Sequence, residues 1–242
     1  MSRMDRFLAF VLAVLVLLCC SILVYGLMER AEAMAAPAPV VTPVPTPEPT
    51  PTPTPMPEVV GPLVNPWNTL PEDYTVALLY LPNRHQVDAV CYNDLTQMLA
   101  DCKAAGLKPE VCSAYRTVEF QKKLFDNKVA RVKREGYAPE EVEAVAAMSV
   151  ARPGTSEHHT GLAVDIIQAD YPVLDETQET KPTQQWLLEN SWRYGFVLRY
   201  PNGKTELTGI IYEPWHYRYV GKEAARIMYE QGLCLEEYLA LQ

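Results

Sequence analysis

A long stretch of mainly hydrophobic residues without a single charge lies near the N-terminus, where residues 7–28 read FLAFVLAVLVLLCCSILVYGLM. At about 1.5 Å per residue, an uncharged helix of this length crosses the ~30 Å hydrocarbon core of a bilayer. Arg3 and Arg6 precede the stretch, so the positive-inside bias predicts that residues 1–6 are cytoplasmic and that the rest of the chain lies outside. We therefore expect a single-pass cell-membrane protein with an extracytoplasmic folded domain.

This segment has two other interpretations besides an uncleaved signal anchor over residues 7–28. Residues 33–35 (Ala-Met-Ala) resemble the small-residue cleavage site of a signal peptide, but the apolar run is longer than the ~7–15 residues usual there. Cys19 or Cys20 could carry a lipid, but Leu18 rather than a small residue precedes Cys19. We favour the anchor.

A proline- and threonine-rich segment follows and reads APAPVVTPVPTPEPTPTPTPMP over residues 36–57. Its prolines remove backbone donors and hold φ at about -65°, which favours extended polyproline II over a packed fold. We predict a disordered linker over residues 29–61 and one folded domain over residues 62–242.

Short apolar runs and helically spaced apolar positions occupy separate parts of the folded domain. The predicted strands are 75–81, 109–115, 162–167, 196–200 and 209–215, the last two forming a hairpin around a Pro-Asn-Gly turn at 201–203. The predicted helices are one capped by Asn93 and ended by Gly106, one over 117–135, one beginning near Pro139, one over 181–194, and two short ones at the C-terminus. Because strands and helices are segregated, we predict an α+β fold in which helices flank a small antiparallel sheet.

The composition is that of one globular domain without the features of a nucleic-acid-binding protein. Of the 242 residues, 48% are apolar, which is sufficient for a single packed core beyond the membrane segment and linker. The net charge of -9 is spread along the chain without a basic block, and this excludes nucleic acid as a partner. We expect the folded domain to be monomeric.

Four cysteines lie beyond the membrane segment, at Cys91, Cys102, Cys112 and Cys234. In an oxidising compartment they could form disulfides, but the sequence does not determine a pairing, and buried free thiols are the alternative. None has the CxxC spacing of a structural zinc site, so we interpret them as structural residues.

The chain has only four histidines, so a histidine metal site can form in few ways. His158 lies in the segment SEHHTGLAVD, which ends at Asp165. A loop histidine, a glycine that eases the turn at Gly161, and an aspartate on the next predicted strand can reach one ion.

A second cluster, EPWHYR over residues 213–218, adds His216 and a carboxylate three residues earlier. Pro214 argues against a regular helix, so these two side chains must converge through a bent strand or a bulge. Two histidines and one aspartate leave zinc an open position for water, which is typical of catalytic sites. Glu213 is the candidate base that takes the proton of this water.

These motifs resemble those of the VanY-type zinc D-alanyl-D-alanine carboxypeptidases, peptidase family M15B with the related L,D-carboxypeptidases. The resemblance covers residues 66–221 and rests on CSAYRT (112–117), PGTSEH (153–158), GLAVD (161–165), YGFVLRYP (194–201) and EPWHYRYVG (213–221). It implies the fold of the DD-peptidase and Hedgehog group, with a zinc site at the sheet.

The resemblance also implies roles for individual residues. The implied zinc ligands are His158, Asp165 and His216. Glu213 would be the catalytic base, and Arg116 would stabilise the carbonyl oxygen or the substrate as charge develops. Gln121 and Ser156 resemble positions that contact the substrate.

Two further sets of residues have open roles. The seven-residue interval to Asp165 favours His158 as the ligand, which leaves His159 to support the site or to face solvent. The aromatic residues that could either line a pocket or pack in the core are Trp192, Tyr194, Trp215 and Tyr217.

The function that this resemblance implies is zinc-dependent removal of the C-terminal D-alanine from peptidoglycan stem peptides. An L,D-carboxypeptidase acting on tetrapeptide stems and an endopeptidase are alternatives within the same chemistry. A zinc-stabilised module that binds wall peptides without cutting them is an alternative of another class, and Glu213 counts against it. The expected partners are the stem peptide and, through the N-terminal helix, the membrane.

Overall fold

The computed structural model describes residues 3–34 and 56–242 of the chain. The first part is one helix, α1 (Arg3–Met34), and its segment Phe10–Arg30 is long and apolar enough to cross a membrane. The second part belongs to a separate compact unit, Thr54–Gln242.

The predicted linker, residues 29–61, is too long at both ends. Residues 29–34 continue α1, because this stretch of Glu, Arg, Ala and Met consists of good helix formers. At the other end, the backbone N–H of Val60 donates to the carbonyl of Val220 at 3.2 Å, and the Tyr238 hydroxyl donates to the carbonyl of Pro57 at 2.7 Å. Residues 56–61 are therefore packed against the folded unit, while 35–55 lie outside the described residues.

Short strands and helices alternate irregularly through the folded unit. The strands are β1 (Leu78–Tyr80), β2 (Gln86–Asp88), β3 (Pro109–Ser113), β4 (Ala163–Gln168), β5 (Phe196–Leu198) and β6 (His216–Tyr219). The helices are α2 (Ala89–Ala104), α3 (Val118–Arg134), α4 (Val142–Ala147), α5 (Pro182–Asn190), α6 (Thr205–Thr208), α7 (Lys222–Gln231) and α8 (Leu235–Leu239). Single 3-10 turns cover Glu157–Thr160, Glu176–Thr180 and Ser191–Tyr194.

The central sheet has four antiparallel strands in the order β3-β4-β6-β5, and β1 and β2 form a separate hairpin. A bulge between Val111 and Ser113 shifts the pairing of β3, so that Ser113 lies opposite Asp165. On the other side of β4, Asp165 pairs with His216 of β6. The prediction of an α+β fold with a small antiparallel sheet flanked by helices is confirmed.

The start of α2 differs from the prediction. The helix begins at Ala89 rather than after Asn93, because the carboxylate of Asp88 accepts the backbone N–H of Val90 at 2.9 Å and caps the first turn. Asn93 lies one turn inside the helix.

The hairpin predicted over 196–200 and 209–215 is also wrong, because the strand that pairs with β5 is β6, which begins at His216. In the segment that joins β5 to β6, the N–H of Ile211 donates to the carbonyl of Met148 at 2.8 Å, and the N–H of Glu213 donates to the carbonyl of Tyr200 at 3.2 Å. Pro214 has no N–H with which to join the hydrogen bonds of a sheet. Residues 209–215 therefore form a loop.

Side chains of β4 and β6 alternate between the two faces of the sheet. On one face Val164, Ile166 and Tyr217 pack with residues of α2 and α5 in the main hydrophobic core. Asp165 and His216 occupy the intervening positions and face the other way. The core therefore fixes the strand from one side, while the opposite side carries polar side chains.

The cysteines of the folded unit are free thiols. Cys91, Cys102 and Cys234 are buried, and Cys112 is half-buried. Of the two alternatives that the sequence left open, disulfides and free thiols, the structure has free thiols.

Candidate metal centre and active site

The three predicted metal ligands come together on the polar face of the central sheet. Asp165 lies in β4, His216 lies opposite it in β6, and His158 comes from the 3-10 turn that precedes β4. One ligand atom from each lies within 4.8 Å of the other two, and each residue is no more than 3% exposed. The oxygens of Asp165 are 2.9 Å from Nδ1 of His216 and 3.3 Å from Nε2 of His158.

The turn between His158 and Asp165 depends on Gly161. Its φ of 72° is left-handed, and a Cβ there would lie 2.8 Å from Cγ1 of Val76 and 2.9 Å from the backbone N of Asp88. Glycine is therefore required both by its conformation and by its surroundings.

The remaining ring nitrogens of both histidines point away from this centre. Nδ1 of His158 is 2.7 Å from the carbonyl of Ala114 and so carries the proton, which leaves the lone pair of Nε2 toward Asp165. Nε2 of His216 faces Glu157 at 3.6 Å. Two imidazole nitrogens and a carboxylate, with acceptors behind the rings, are the donor set that zinc takes in open sites.

Burial and neighbouring charges set the protonation of these groups. Burial lowers the pKa of His158 to about 4, and Arg116 adds to this effect. Burial also lowers the pKa of His216, but hydrogen bonds to Asp165 and Glu157 outweigh it and raise the pKa to about 9. The pKa of Asp165 is held well below its usual range, because His158, His216 and Arg116 overcome the effect of burial.

Glu213 reaches the centre through a tight turn that ends where β6 begins. The backbone N–H of His216 donates to the carbonyl of Glu213 at 3.2 Å, so a turn, not a bent strand, joins the two residues. The carboxylate Oε2 lies 3.8 Å from Nδ1 of His216, and the residue is 7% exposed. Burial raises the pKa of Glu213 to about 8, against the lowering effect of His216.

Arg116 approaches Asp165 from the end of β3, three residues after the bulged strand ends at Ser113. Its guanidinium donates to Oγ of Ser113 at 2.8 Å, to Oε1 of Gln121 at 3.2 Å and to Oδ2 of Asp165 at 2.6 Å. The amide nitrogen of Gln121 donates in turn to the carbonyl of Ala151 at 2.7 Å. The arginine is thus braced on two sides, and its side chain is 15% exposed.

His159 is buried rather than solvent-facing. Its Nε2 accepts the backbone N–H of Gly154 at 3.2 Å, so Nδ1 carries the proton and donates to the carbonyl of Arg116 at 2.8 Å. His159 therefore supports the backbone of Arg116 from behind.

A cavity of about 1010 Å³ opens over the centre. Its walls include Ser156, Tyr200 and Trp215 as well as the candidate ligands, and basic residues of α3 such as Arg131 also line it. Of the aromatic candidates, only Trp215 is among the lining residues. The others pack elsewhere: the hydroxyl of Tyr217 donates to Gln184, that of Tyr194 donates to Asp101, and Trp192 stacks on Tyr229.

Sequence reasoning missed Glu157, Tyr200 and Ser113. Glu157 stands within one of the motifs, but the residues that it contacts are far away in the sequence. The ring centroid of Tyr200 lies 4.7 Å from that of His216, a contact that depends on the pairing of β5 with β6. For Ser113, the sequence offered one signal: its hydroxyl lies three residues before Arg116, close enough in the chain to accept a hydrogen bond from the guanidinium.

Residues 84–222 match the family described as VanY, D-alanyl-D-alanine carboxypeptidase. A D-alanyl-D-alanine carboxypeptidase of Enterococcus faecalis is 48% identical over 178 residues, covering 73% of this chain. The matched region spans 64% of that relative's length, so the chain covers less than two thirds of it.

Several solved structures share this fold. VanYB in complex with D-alanine-D-alanine has 47% identity and a TM-score of 0.69, covering 74% of this chain and 97% of that one. A vancomycin resistance D,D-pentapeptidase VanY in complex with Zn(II) has 47% identity and a TM-score of 0.67, covering 73% and 97%. The LD-carboxypeptidase LdcB has 34% identity and a TM-score of 0.64, covering 74% and 84%.

Proposed function

This chain belongs to the VanY family, and we propose that it is a zinc-dependent carboxypeptidase that hydrolyses the C-terminal D-alanine from peptidoglycan stem peptides. The observation that carries the proposal is the buried cluster of His158, Asp165 and His216 beneath an open cavity, with Glu213 at its edge. The known complexes of VanY relatives with Zn(II) and with D-alanine-D-alanine support the metal and the substrate.

Zinc would be held by His158, Asp165 and His216. These ligands leave it an open position, and its chemistry is to polarise the scissile carbonyl and to make water acidic enough to lose a proton near neutral pH. A closed structural site would need a fourth protein ligand, and among the described residues only these three place their ligand atoms all within 4.8 Å of one another.

Glu213 would act as the proton carrier. Its carboxylate is buried at the edge of the cluster, where it takes a proton from the attacking water and returns it to the leaving amine. Burial raises the pKa of this group, which makes its carboxylate a stronger base than an exposed one. The proline that follows Glu213 and the turn to His216 fix the carboxylate relative to the ligand.

Arg116 would supply positive charge on the cavity side of Asp165. A guanidinium offers a planar set of donors to an oxyanion or a carboxylate, and removal from bulk water strengthens that interaction. Ser113 and Gln121 hold the guanidinium in place, so little reorganisation is needed when charge develops. Gln121 therefore acts on the substrate through Arg116, while Ser156 lines the cavity and is available to contact the peptide.

An L,D-carboxypeptidase acting on tetrapeptide stems is the second candidate, and the likeness to LdcB favours it. Both activities use the same metal centre and base, and they differ in the fit around the residue before the scissile bond. The higher identity to VanYB favours D,D-cleavage.

We also propose that α1 anchors the protein in the cell membrane, with the folded unit outside. The length and apolar character of Phe10–Arg30 support a membrane span, and the cell-wall substrate requires an extracytoplasmic domain. Retention of the intact chain in the membrane fraction at high salt, with loss of the folded unit to external protease, tests this topology.

The function is tested by incubating the purified full-length chain in detergent with pentapeptide and tetrapeptide stems, with and without a chelator, and identifying the products by mass. Chelator-sensitive release of one D-alanine from the pentapeptide is the expected result. Release from the tetrapeptide alone would instead establish the L,D-activity. Binding of either peptide without cleavage would establish the non-catalytic module.

A further inference from the structure

A cluster of fully buried charges lies behind the candidate metal centre. The side chains of Glu157, Arg199 and Arg218 are 0% exposed. Oε1 of Glu157 accepts Nε of Arg199 at 2.7 Å and Nη1 of Arg218 at 3.0 Å. Buried ion pairs of this kind give little net stability, because desolvation offsets their attraction. The three charges therefore call for a role besides stabilising the fold.

The free oxygen of Glu157 indicates that role. Oε2 is buried without a hydrogen-bond partner, and the same is true of Nε2 of His216, which lies 3.6 Å away. These two are the only such side-chain atoms among the described residues. Buried polar atoms are rarely left unsatisfied, and each of these two is satisfied by closing on the other.

We propose that Glu157 is a positioning residue, whose Oε2 accepts the Nε2–H of His216 and so directs the lone pair of Nδ1 toward the zinc site. The inference rests on the proposed function, because it requires that His216 binds metal. A carboxylate behind a ligating histidine fixes the tautomer and the ring orientation and makes the nitrogen a better donor. For His158, the carbonyl of Ala114 has the same role, because it accepts the proton of Nδ1 and leaves Nε2 free toward the zinc site.

The two arginines hold Glu157 in this position. Arg199 also binds both carboxylate oxygens of Glu236 in α8, at 2.6 and 2.8 Å. Arg218 also donates to the carbonyls of Val60 and Pro62, at 3.1 and 3.0 Å. With Oε1 occupied by both guanidinium groups, the carboxylate has no freedom to rotate away, and Oε2 stays aimed at the imidazole of His216.

The test is zinc affinity, measured by competition with a chromogenic chelator on the full-length chain in detergent. Glu157→Gln retains the shape of the side chain but removes the charge, and we expect it to weaken zinc binding by about 10- to 100-fold. Glu140→Gln is the matched control, because it makes the same chemical change at an exposed position outside this network. Its zinc affinity should equal that of the unsubstituted chain.

A second readout distinguishes positioning from a structural role. With Co²⁺ in place of Zn²⁺, Glu157→Gln should change the visible absorption of the bound ion, and Glu140→Gln should not. If Glu157→Gln fails to fold, Glu157→Asp keeps the negative charge among the arginines but withdraws the carboxylate from His216, and it should still bind zinc more weakly.

Equal zinc affinity of a folded Glu157 variant and the unsubstituted chain would overturn the inference and leave the proposed function standing. If the unsubstituted chain itself binds no zinc, the proposed function fails, and this inference fails with it.

Discussion

The chemistry of individual residues in this site follows from their removal from water. Glu213, Asp165, His158 and His216 are each at most 7% exposed, so every charge among them acts on the others through little solvent. The result is a pair of carboxyl groups whose pKa values move in opposite directions, lowered at Asp165 and raised at Glu213. The proposed function requires this separation, because one group would bind a cation and the other would carry a proton.

Replacing Glu213 by Gln is expected to lower the rate of D-alanine release by about 10²- to 10⁴-fold, because the proton carrier is lost while the ligands remain. Zinc content, measured by elemental analysis, should be unchanged. Glu140→Gln makes the same chemical change at an exposed position and should keep full activity. Substantial hydrolysis by Glu213→Gln would rule out this residue as the base.

Replacing Arg116 by Lys retains the charge but removes the planar set of donors that reaches Ser113, Gln121 and Asp165 at once. We expect kcat to fall by about 10²- to 10³-fold, as when a donor to a developing oxyanion is lost.

Steady-state kinetics on Arg116→Lys should be compared with Arg193→Lys, which alters an exposed arginine that packs on Trp192. Unchanged kcat in the first variant would show that charge alone suffices.

At the residue scale, the sequence indicated the site residues that belong to rare residue types. It missed those whose role depends on contacts with residues far away in the chain. With only four histidines, the sequence offered few candidate pairs, and His158 and His216 do lie together with Asp165 in the structure. Glu157 could not be assigned, because Arg199 and Arg218 lie 42 and 61 residues away and are brought to it by β5 and β6.

Elements position the site through a small number of backbone constraints. The bulge in β3 brings Ser113 opposite Asp165, and Arg116 lies three residues beyond the point where that strand ends. The 3-10 turn before β4 presents His158, and Gly161 returns the chain to the sheet. The candidate ligands therefore lie on two paired strands and one tight turn.

Gly161→Ala is expected to lower the free energy of unfolding by about 2–4 kcal/mol, from left-handed strain together with the clash against Val76 and Asp88. Gly203 has a similar φ of 78°, but no atom lies within 4 Å of the place that a Cβ would take, so Gly203→Ala should cost only about 1 kcal/mol. Urea unfolding of both variants measures the difference. Equal losses would show that the surroundings of Gly161 yield to the methyl group.

The elements themselves were predictable where a local signal decides them. Thr117 caps α3, and the long amphipathic pattern indicated its bounds nearly to the residue. The start of α2 was missed because Asn93 is an equally good local cap, and Asp88 is preferred only once β2 has paired with β1. The apolar run over 209–215 suggested a strand. Its backbone instead forms hydrogen bonds with the distant residues Met148 and Tyr200, which a local pattern cannot indicate.

At the scale of the folded unit, its first described residues pack against its last two helices. Residues 56–61 pack with α7 and α8, and Glu236 of α8 connects through Arg199 to Glu157. The cavity, by contrast, is lined in part by residues of α3 such as Gln121 and Arg131. The centre thus borders both a packed framework and an open cavity.

Removal of zinc with a chelator is expected to abolish hydrolysis and to lower the thermal unfolding midpoint of the folded unit. At free zinc of about 100 times Kd, binding stabilises the native state by about 2.7 kcal/mol. For a unit of this size, that corresponds to roughly 5–10 °C in Tm.

Differential scanning calorimetry with added Zn²⁺ checks this shift. Mg²⁺, which prefers oxygen ligands, should not restore it, and Asp165→Asn should show little response to zinc. An unchanged Tm on zinc addition to the chelated chain would contradict the assigned centre.

The pairing of Asp165 with His216 across β4 and β6 also bears on quality control of the purified protein. Because successive side chains alternate between faces, a slip of one residue would turn His216 into the core and bring Tyr217 to the cavity. A chain paired in that way has no complete set of ligands. The zinc-to-protein ratio of a preparation therefore measures the fraction of molecules whose strands are in native register.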